Sequence, residues 1–167
     1  GLHSQVLVSP KGEVQFPINK PSSENSQIQE FLDFNRGAGI QHIALSTPNV
    51  TEVTLKLKAL GVSFLRVPET YYTQLRERFR NLPFSEAEWA TIQNAQVLVD
   101  CEAQGMDSSS ANQSGMPLLL QIFTQPIFEE PTFFFELIER RDRAQGFGEG
   151  NFRALFAAIE REQHKRG

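Results

Sequence analysis

The segment FFFELIER, residues 133–140, constrains the fold of this chain more than any other stretch of the sequence. Alternate side chains of a β-strand share a face, so apolar residues fall on both sides of this segment. One face carries Phe133, Phe135 and Leu137, and the other carries Phe134, Glu136 and Ile138. Glu136 therefore cannot reach water by turning round. A lone buried carboxylate is costly unless it is paired, protonated or bound to a cation, which makes Glu136 the first candidate functional residue.

The rest of the chain alternates between strand-like and helix-like patterns. Residues 5–8 and 13–18 predict a hairpin, and QIQEFLDF predicts a helix capped by Ser26. From residue 39 onward the predicted order is strand, helix, strand, helical insertion, strand, strand, strand. Asn49 or Thr51 is expected to cap the first of these helices, and Ser85 with Glu88 forms a capping-box pattern before another. The predicted fold class is α+β, a strongly curved mixed sheet with helices outside.

Composition excludes several classes of protein. The 167 residues are 40% hydrophobic and 22% charged, which is typical of a globular chain. A net charge of -4 without a long basic run argues against nucleic-acid or anionic-membrane partners. The apolar runs are far shorter than the ~20 residues of a membrane helix, and no signal peptide is visible. The one cysteine, Cys101, fits a reducing compartment, so we expect a cytoplasmic protein. The chain begins with Gly rather than Met, which predicts a fragment of a longer polypeptide.

His42 is the most informative of the three histidines. Strand alternation places it beside Ile40 and Ala44 on an apolar face, where a hydrogen-bonded core histidine is the common alternative. Glu136 has its own alternative, a buried ion pair with an arginine. Together the two residues would supply part of a site with two histidines and one carboxylate, the facial arrangement that holds iron(II). The sequence offers no second histidine that fits this set.

Polar residues in apolar surroundings form a second group of candidates. Gln121 shares its strand face with Leu119 and Phe123, so its amide needs a backbone partner or a ligand. A structurally satisfied glutamine is an equally open explanation. Asn19 and Gln27 have structural explanations as well. Asn19 could simply end a strand, and Gln27 could simply serve the start of a helix.

Seven stretches, in their order and spacing, resemble the C-terminal part of the 4-hydroxyphenylpyruvate dioxygenase family over nearly the whole chain. They are PINKP (17–21), SQIQEF (26–31), GAGIQHIAL (37–45), PETYYTQLRER (68–78), LLQIFTQP (119–126), PTFFFELIER (131–140) and GFGEGNFRALFAAIEREQ (146–163). The resemblance implies βαβββ modules of the vicinal-oxygen-chelate type, forming an open barrel of curved mixed sheet. It divides the chain into the end of a preceding module with a connecting helix (1–38), a module with the iron ligands (39–140) and a C-terminal lid helix (141–167).

The resemblance also implies roles for individual residues. His42 matches the second histidine ligand and Glu136 the carboxylate ligand of an iron(II) site, whose first histidine would lie upstream of this chain. Polar positions of the substrate pocket with an expected part in catalysis match Ser4, Asn19, Gln27 and Gln121. Other substrate-contacting positions match Gln41, Phe123, Phe134, Phe147, Asn151, Phe152 and Leu155. Strand alternation alone would point Gln41 away from His42.

The implied activity is the iron(II)-dependent conversion of 4-hydroxyphenylpyruvate and O2 to homogentisate and CO2, a step of tyrosine catabolism. We expect a homo-oligomer for the full-length protein. Hydroxymandelate synthase shares the fold, metal and substrate, but Pro17 and Asn19 favour the dioxygenase. The sequence also leaves open a metal-free binding module and a purely structural fragment. The polar loop at 102–117 is interpreted as a surface insertion.

Overall fold

The computed structural model describes residues 2–11, 14–21, 24, 26–79, 82–101, 116–128, 132–148 and 150–151. These residues form six strands and four helices, which confirms the α+β class. The chain divides into two compact units. The first unit contains residues 1–42 and 126–134, and the second contains residues 43–125 and 135–167.

The first unit is built on the predicted hairpin and the helix that follows it. Strands β1 (Leu2–Val8) and β2 (Gln15–Pro21) pair antiparallel along their whole length. Helix α1 (Gln27–Phe34) begins where the Ser26 Oγ accepts a 3.2 Å hydrogen bond from the Gln29 N–H, as the sequence predicts. It ends before Gly37, whose φ of 132° falls outside the range that other residues readily adopt.

A four-stranded sheet with the order β3-β6-β5-β4 contains His42, Gln121 and Glu136 among the candidate site residues. Its strands are β3 (His42–Ser46), β4 (Leu98–Cys101), β5 (Leu118–Phe123) and β6 (Phe134–Arg141). β4, β5 and β6 pair antiparallel. The Phe134 N–H donates to the Gln41 carbonyl and the Thr47 N–H donates to the Ile138 carbonyl, so β3 and β6 run in the same direction. The sheet is therefore mixed and open, and every residue of the central strand β5 is buried.

Three further helices belong to the second unit: α2 (Val50–Ala59), α3 (Glu69–Arg78) and α4 (Glu86–Ala95). Asn49, not Thr51, caps α2, because the Asn49 Oδ1 accepts the Glu52 N–H at 3.1 Å. The predicted cap of α4 is confirmed, since the Ser85 Oγ accepts the Glu88 N–H at 3.2 Å. None of the described helices is long and apolar enough to cross a membrane.

Two sequence predictions differ from the structure. The strand expected at residues 62–68 is reduced to one bridge between Phe64 and Thr124. Two hydrogen bonds flank this bridge, from the Leu65 N–H to the Phe123 carbonyl and from the Gln125 N–H to the Ser63 carbonyl. The apolar face expected for β3 is not buried, since Ile40 is 59% exposed and Ala44 is also exposed on this edge strand.

Two other predictions fall largely outside the described residues. Residues 150 and 151 have helical backbone, and the rest of the predicted lid helix, including Phe152 and Leu155, lies outside the described part of the chain. The same holds for residues 102–115 of the predicted surface loop.

Candidate metal and substrate site

Glu136 lies on β6 directly opposite Phe123 of β5, and its side chain is 5% exposed. Residues opposite each other in an antiparallel pair share a face, so Glu136 lies on the same face as Phe123 and Gln121. The Gln121 Nε2 donates a 2.6 Å hydrogen bond to the Glu136 Oε1. The buried carboxylate predicted from FFFELIER is confirmed, and its register beside Gln121 follows from the β5–β6 pairing.

The electrostatics of Glu136 favour its neutral form. Burial raises its pKa from an ordinary value of 4.5 to about 7, although the Gln121 hydrogen bond and the positive charge of Arg140 both lower it. The effect of burial on the pKa is therefore larger than the effects of the Gln121 hydrogen bond and of Arg140. A divalent cation bound to the carboxylate would lower this pKa, because a nearby positive charge favours the ionised form.

Gln121 connects Glu136 to two segments from the end of the second unit. Its Nε2 also donates to the Phe147 carbonyl at 3.1 Å, and its Oε1 accepts from the Asn151 Nδ2 at 2.7 Å. Gln121 and Asn151 are almost fully buried. The polar atoms of Gln121 thus have hydrogen-bond partners inside the protein. This agrees with one of its two explanations from the sequence, a structurally satisfied glutamine, rather than one that needs a ligand.

The hydroxyl of Tyr71 extends this network, and sequence reasoning missed it. The Tyr71 Oη lies 3.1 Å from the Asn151 Oδ1 and accepts a 2.8 Å hydrogen bond from the Val99 N–H. Tyr71 is 2% exposed, and it lies on α3, 80 residues before Asn151. In the sequence it is part of a Tyr-Tyr pair on an amphipathic helix, a pattern that predicts core packing and gives no sign of a distant amide.

Gly148 allows the chain to pass close to Gln121. Its φ of 68° lies in the left-handed region, and a Cβ at this position would overlap the Gln121 Oε1. Glycine is therefore required here both by the backbone conformation and by the space that the amide occupies. This gives a physical reason for a glycine in GFGEG at this position.

Glu139 is a second buried carboxylate on β6, and its surroundings differ from those of Glu136. It is also 5% exposed, but its Oε2 accepts the Val50 N–H at 2.7 Å at the start of α2. Its Oε1 accepts from the Arg141 Nε at 2.6 Å, and Arg141 also pairs with Glu88. Glu139 is thus compensated by a cation and a helix N-terminus, so it is a structural residue and a natural control for Glu136.

His42 belongs to the first unit, where it is the first residue of β3. Its half-buried imidazole stacks on the Phe134 ring, with ring centroids 5.0 Å apart and an interplanar angle of 13°. Burial lowers the pKa of His42, which favours the neutral imidazole that binds metals. The expectation that Gln41 points away is wrong, because the Gln41 Oε1 lies 3.2 Å from the His42 Nδ1. Gln41 precedes β3, so strand alternation does not govern it.

The remaining candidates of the first unit lie on the hairpin and α1. Ser4 and Asn19 are opposite each other in the β1–β2 pair, and the Ser4 Oγ donates to the Asn19 Oδ1 at 2.6 Å. Gln27 is the first residue of α1, and its side chain lies outside the described part of the structure. Among the aromatic candidates of the second unit, Phe123 is 1% exposed and Phe147 is 38% exposed.

Within the described residues no group of three or more histidine, cysteine, aspartate or glutamate side chains could hold a metal ion. The donors that suit iron(II) are the imidazole of His42 in the first unit and the carboxylate of Glu136 in the second. A neutral imidazole and a buried carboxylate match the donor types of a facial iron site. Each of these two side chains, taken by itself, is a donor of a type that suits the metal.

The family model of the Glyoxalase/Bleomycin resistance protein/Dioxygenase superfamily matches residues 1–88, and the chain belongs to this superfamily. The 4-hydroxyphenylpyruvate dioxygenase of Dictyostelium discoideum is 43% identical to it over 99% of this chain and 42% of that protein. The enzyme of the same name from Legionella pneumophila strain Corby is 44% identical over 100% of this chain and 44% of that protein. The resemblance inferred from the sequence motifs is thereby confirmed, and the chain spans less than half the length of these relatives.

A solved structure of a 4-hydroxymandelate synthase mutant from Streptomyces coelicolor is similar to the chain with a TM-score of 0.72 and 30% sequence identity. The similarity covers 97% of this chain and 42% of that one. The chain is therefore similar both to proteins named as 4-hydroxyphenylpyruvate dioxygenases and to a protein named as a 4-hydroxymandelate synthase.

Proposed function

We propose that this chain is the iron-binding part of a 4-hydroxyphenylpyruvate dioxygenase, which converts 4-hydroxyphenylpyruvate and O2 into homogentisate and CO2. The observation that carries the proposal is the state of Glu136, a carboxylate that is 5% exposed and has a pKa raised to about 7. Water cannot solvate a carboxylate at this depth, so a bound cation is the means by which its ionised form would be stabilised. Identity of 43–44% to proteins with this name over the whole chain supports the same activity.

His42 and Glu136 are the proposed iron(II) ligands, and a facial site needs one more histidine than this pair supplies. When bound, iron(II) supplies the binding and activation of O2 and of the 2-oxo acid group. Carboxylate and neutral imidazole suit this ion, and the stacked Phe134 ring restricts the motion of the His42 imidazole. Gln121 orients the Glu136 carboxylate through the 2.6 Å hydrogen bond to its Oε1.

The polar residues of the proposed pocket are neutral. Ser4, Asn19, Gln27 and Gln41 can orient a phenol and a 2-oxo acid without adding charge near the metal, and Gln121 is proposed to act in catalysis through the Glu136 carboxylate. A buried amide that loses its partner is penalised, so such residues would disfavour substrates without the phenolic hydroxyl. The aromatic and apolar candidates, Phe123, Phe134, Phe147, Phe152 and Leu155, are proposed to exclude water, and Asn151 is proposed to support Gln121.

Hydroxymandelate synthase is the second candidate, and the similarity to the Streptomyces coelicolor structure favours it. Product analysis separates the two. The native protein is incubated with iron(II), O2 and 4-hydroxyphenylpyruvate, and the products are identified by chromatography and mass spectrometry. Homogentisate supports the proposal, and hydroxymandelate would reverse the choice.

A metal-free binding module on the same fold is a candidate of a different kind, since it would carry out no reaction. Native protein without iron, together with unchanged ligand binding in His42→Ala, would favour that module. We further propose a cytoplasmic homo-oligomer. The buried Cys101 is the sequence's one cysteine, and this cysteine usage suits a reducing compartment. Size-exclusion chromatography with light scattering of the native protein tests the oligomer.

A further inference from the structure

We propose that Tyr71 is a positioning residue of this site, which holds the Gln121 amide in one orientation through Asn151. The inference rests on the proposed function, because Gln121 then supports a metal ligand. Three hydrogen bonds connect the phenol to the carboxylate. They run from the Tyr71 Oη to the Asn151 Oδ1 at 3.1 Å, from the Asn151 Nδ2 to the Gln121 Oε1 at 2.7 Å and from the Gln121 Nε2 to the Glu136 Oε1 at 2.6 Å.

The acceptors at one end of this relay fix the direction of its amides. The Phe147 carbonyl can only accept, and so can an ionised Glu136 carboxylate, so the Gln121 Nε2 must face them. The Gln121 Oε1 then faces Asn151 and requires its Nδ2. The Asn151 Oδ1 is left facing the Tyr71 hydroxyl, which is the donor that completes the relay.

Tyr71 is built to act as that donor. Its oxygen accepts the Val99 N–H at 2.8 Å, so its one proton is left to donate. The Asn151 Oδ1 and the Val99 carbonyl are its acceptors, each 3.1 Å away. Burial raises its pKa well above the ordinary value of 10.0, so the hydroxyl keeps its proton across the physiological range.

Without the hydroxyl, the Asn151 Oδ1 would lose this donor in a buried place. A buried amide group whose oxygen lacks a donor lowers its free energy by rotating toward another donor. Such a rotation of Asn151 would remove the constraint on the Gln121 Oε1. Gln121 would then hold the Glu136 carboxylate less firmly. Residues that support a metal ligand in this way commonly change metal affinity by about ten- to a hundredfold, and we expect a smaller effect from a residue two hydrogen bonds further away.

Tyr72 provides a matched control on the same helix. It is 3% exposed, and its hydroxyl donates to the Val97 carbonyl at 3.1 Å, much as Tyr71 contacts Val99. The two rings pack edge to face with centroids 5.0 Å apart. Tyr72→Phe therefore removes a buried hydroxyl and a bond to a backbone carbonyl without removing the donor to Asn151.

The test uses the native protein and its Tyr71→Phe and Tyr72→Phe variants, with each substitution also made in a Gln121→Met background. Anaerobic titration with iron(II) alone, followed by calorimetry, gives the metal affinity. We expect Tyr71→Phe to weaken iron(II) binding about three- to tenfold, Tyr72→Phe to leave it unchanged, and Tyr71→Phe to have no further effect beside Gln121→Met.

Equal effects of the two tyrosine substitutions, or a full effect of Tyr71→Phe in the Gln121→Met background, would overturn the inference. If Tyr71→Phe does not fold, Asn151→Leu breaks the next link of the relay and must give the same loss of affinity. Failure of the proposed metal site is distinguishable, because the unsubstituted protein would then not bind iron(II), and the reaction product is identified separately by the product analysis described above.

Discussion

Substitution of Glu136 by glutamine should stabilise the metal-free protein at neutral and alkaline pH. Glutamine keeps the shape of the side chain and an oxygen that can accept the hydrogen bond from the Gln121 Nε2. The substitution removes the negative charge that Glu136 acquires on ionisation, and this residue is only 5% exposed to solvent. A substitution that removes a functional group is thus expected to increase the free energy of unfolding.

The magnitude follows from the pKa of Glu136, which is 4.5 ordinarily and about 7 in the folded protein. Below pH 4.5 the carboxyl is protonated in both states, so its contribution to stability is fully present. Between the two values the unfolded chain ionises while the folded protein keeps its proton, and stability falls as the pH rises. Above pH 7 the loss is complete, and at about 1.4 kcal/mol per pH unit it amounts to about 3 kcal/mol.

Urea unfolding of metal-free protein, measured from pH 4 to pH 8 in the presence of a chelator, checks this value. The difference in free energy of unfolding between Glu136→Gln and the unsubstituted protein should be near zero at pH 4 and should rise to about 3 kcal/mol in favour of the variant at pH 8. Because other groups titrate equally in both proteins, the difference isolates Glu136. Added iron(II) should stabilise the unsubstituted protein and not the variant.

Glu139→Gln is the matched control for this experiment. It changes a carboxylate on the same strand with the same exposure, but it disrupts the ion pair with Arg141 and weakens the bond from the Val50 N–H. It should destabilise the protein by about 1–3 kcal/mol at pH 8. A Glu136→Gln variant that is less stable than the unsubstituted protein at pH 8, as Glu139→Gln is, would refute the reasoning about Glu136.

Two further substitutions test the surroundings of the site. Gly148→Ala should weaken substrate binding and stability more than Gly61→Ala, because both glycines have positive φ but a Cβ at Gly148 overlaps Gln121, whereas a Cβ at Gly61 meets nothing within 4 Å. Steady-state KM and thermal unfolding measure this, and equal effects would contradict the close approach. Ser85→Ala should cost about 1 kcal/mol in the free energy of unfolding with unchanged KM, because it removes only the cap of α4. A changed KM would contradict that purely structural role.

The sequence contained enough local information to predict most strands and helix starts. The caps at Ser26 and Ser85 form as expected because a hydroxyl near a free backbone N–H is a local arrangement. The burial of Glu136 was also predictable, since the apolar pattern on both sides of FFFELIER requires it. The same logic failed for β3, because alternation says nothing about whether a strand lies at the edge of its sheet.

Long-range hydrogen bonds were beyond local pattern reasoning. The Tyr71 hydroxyl and the Asn151 amide are 80 residues apart, and nothing in either segment specifies the other. Gln41 contacts His42 because β3 begins at His42, three residues later than the alternating pattern indicates, so Gln41 lies outside the strand. Residues whose role depends on a partner elsewhere in the chain therefore required the folded arrangement.

Iron(II) binding by the native protein is the decisive measurement for the proposed ligands His42 and Glu136. Metal-free protein is titrated anaerobically with iron(II) and compared with His42→Ala, Glu136→Ala and the control Glu139→Gln. We expect stoichiometric binding in the unsubstituted protein and in Glu139→Gln, and its loss in both His42→Ala and Glu136→Ala. Full iron(II) affinity in Glu136→Ala would contradict the assignment of this buried carboxylate as a metal ligand.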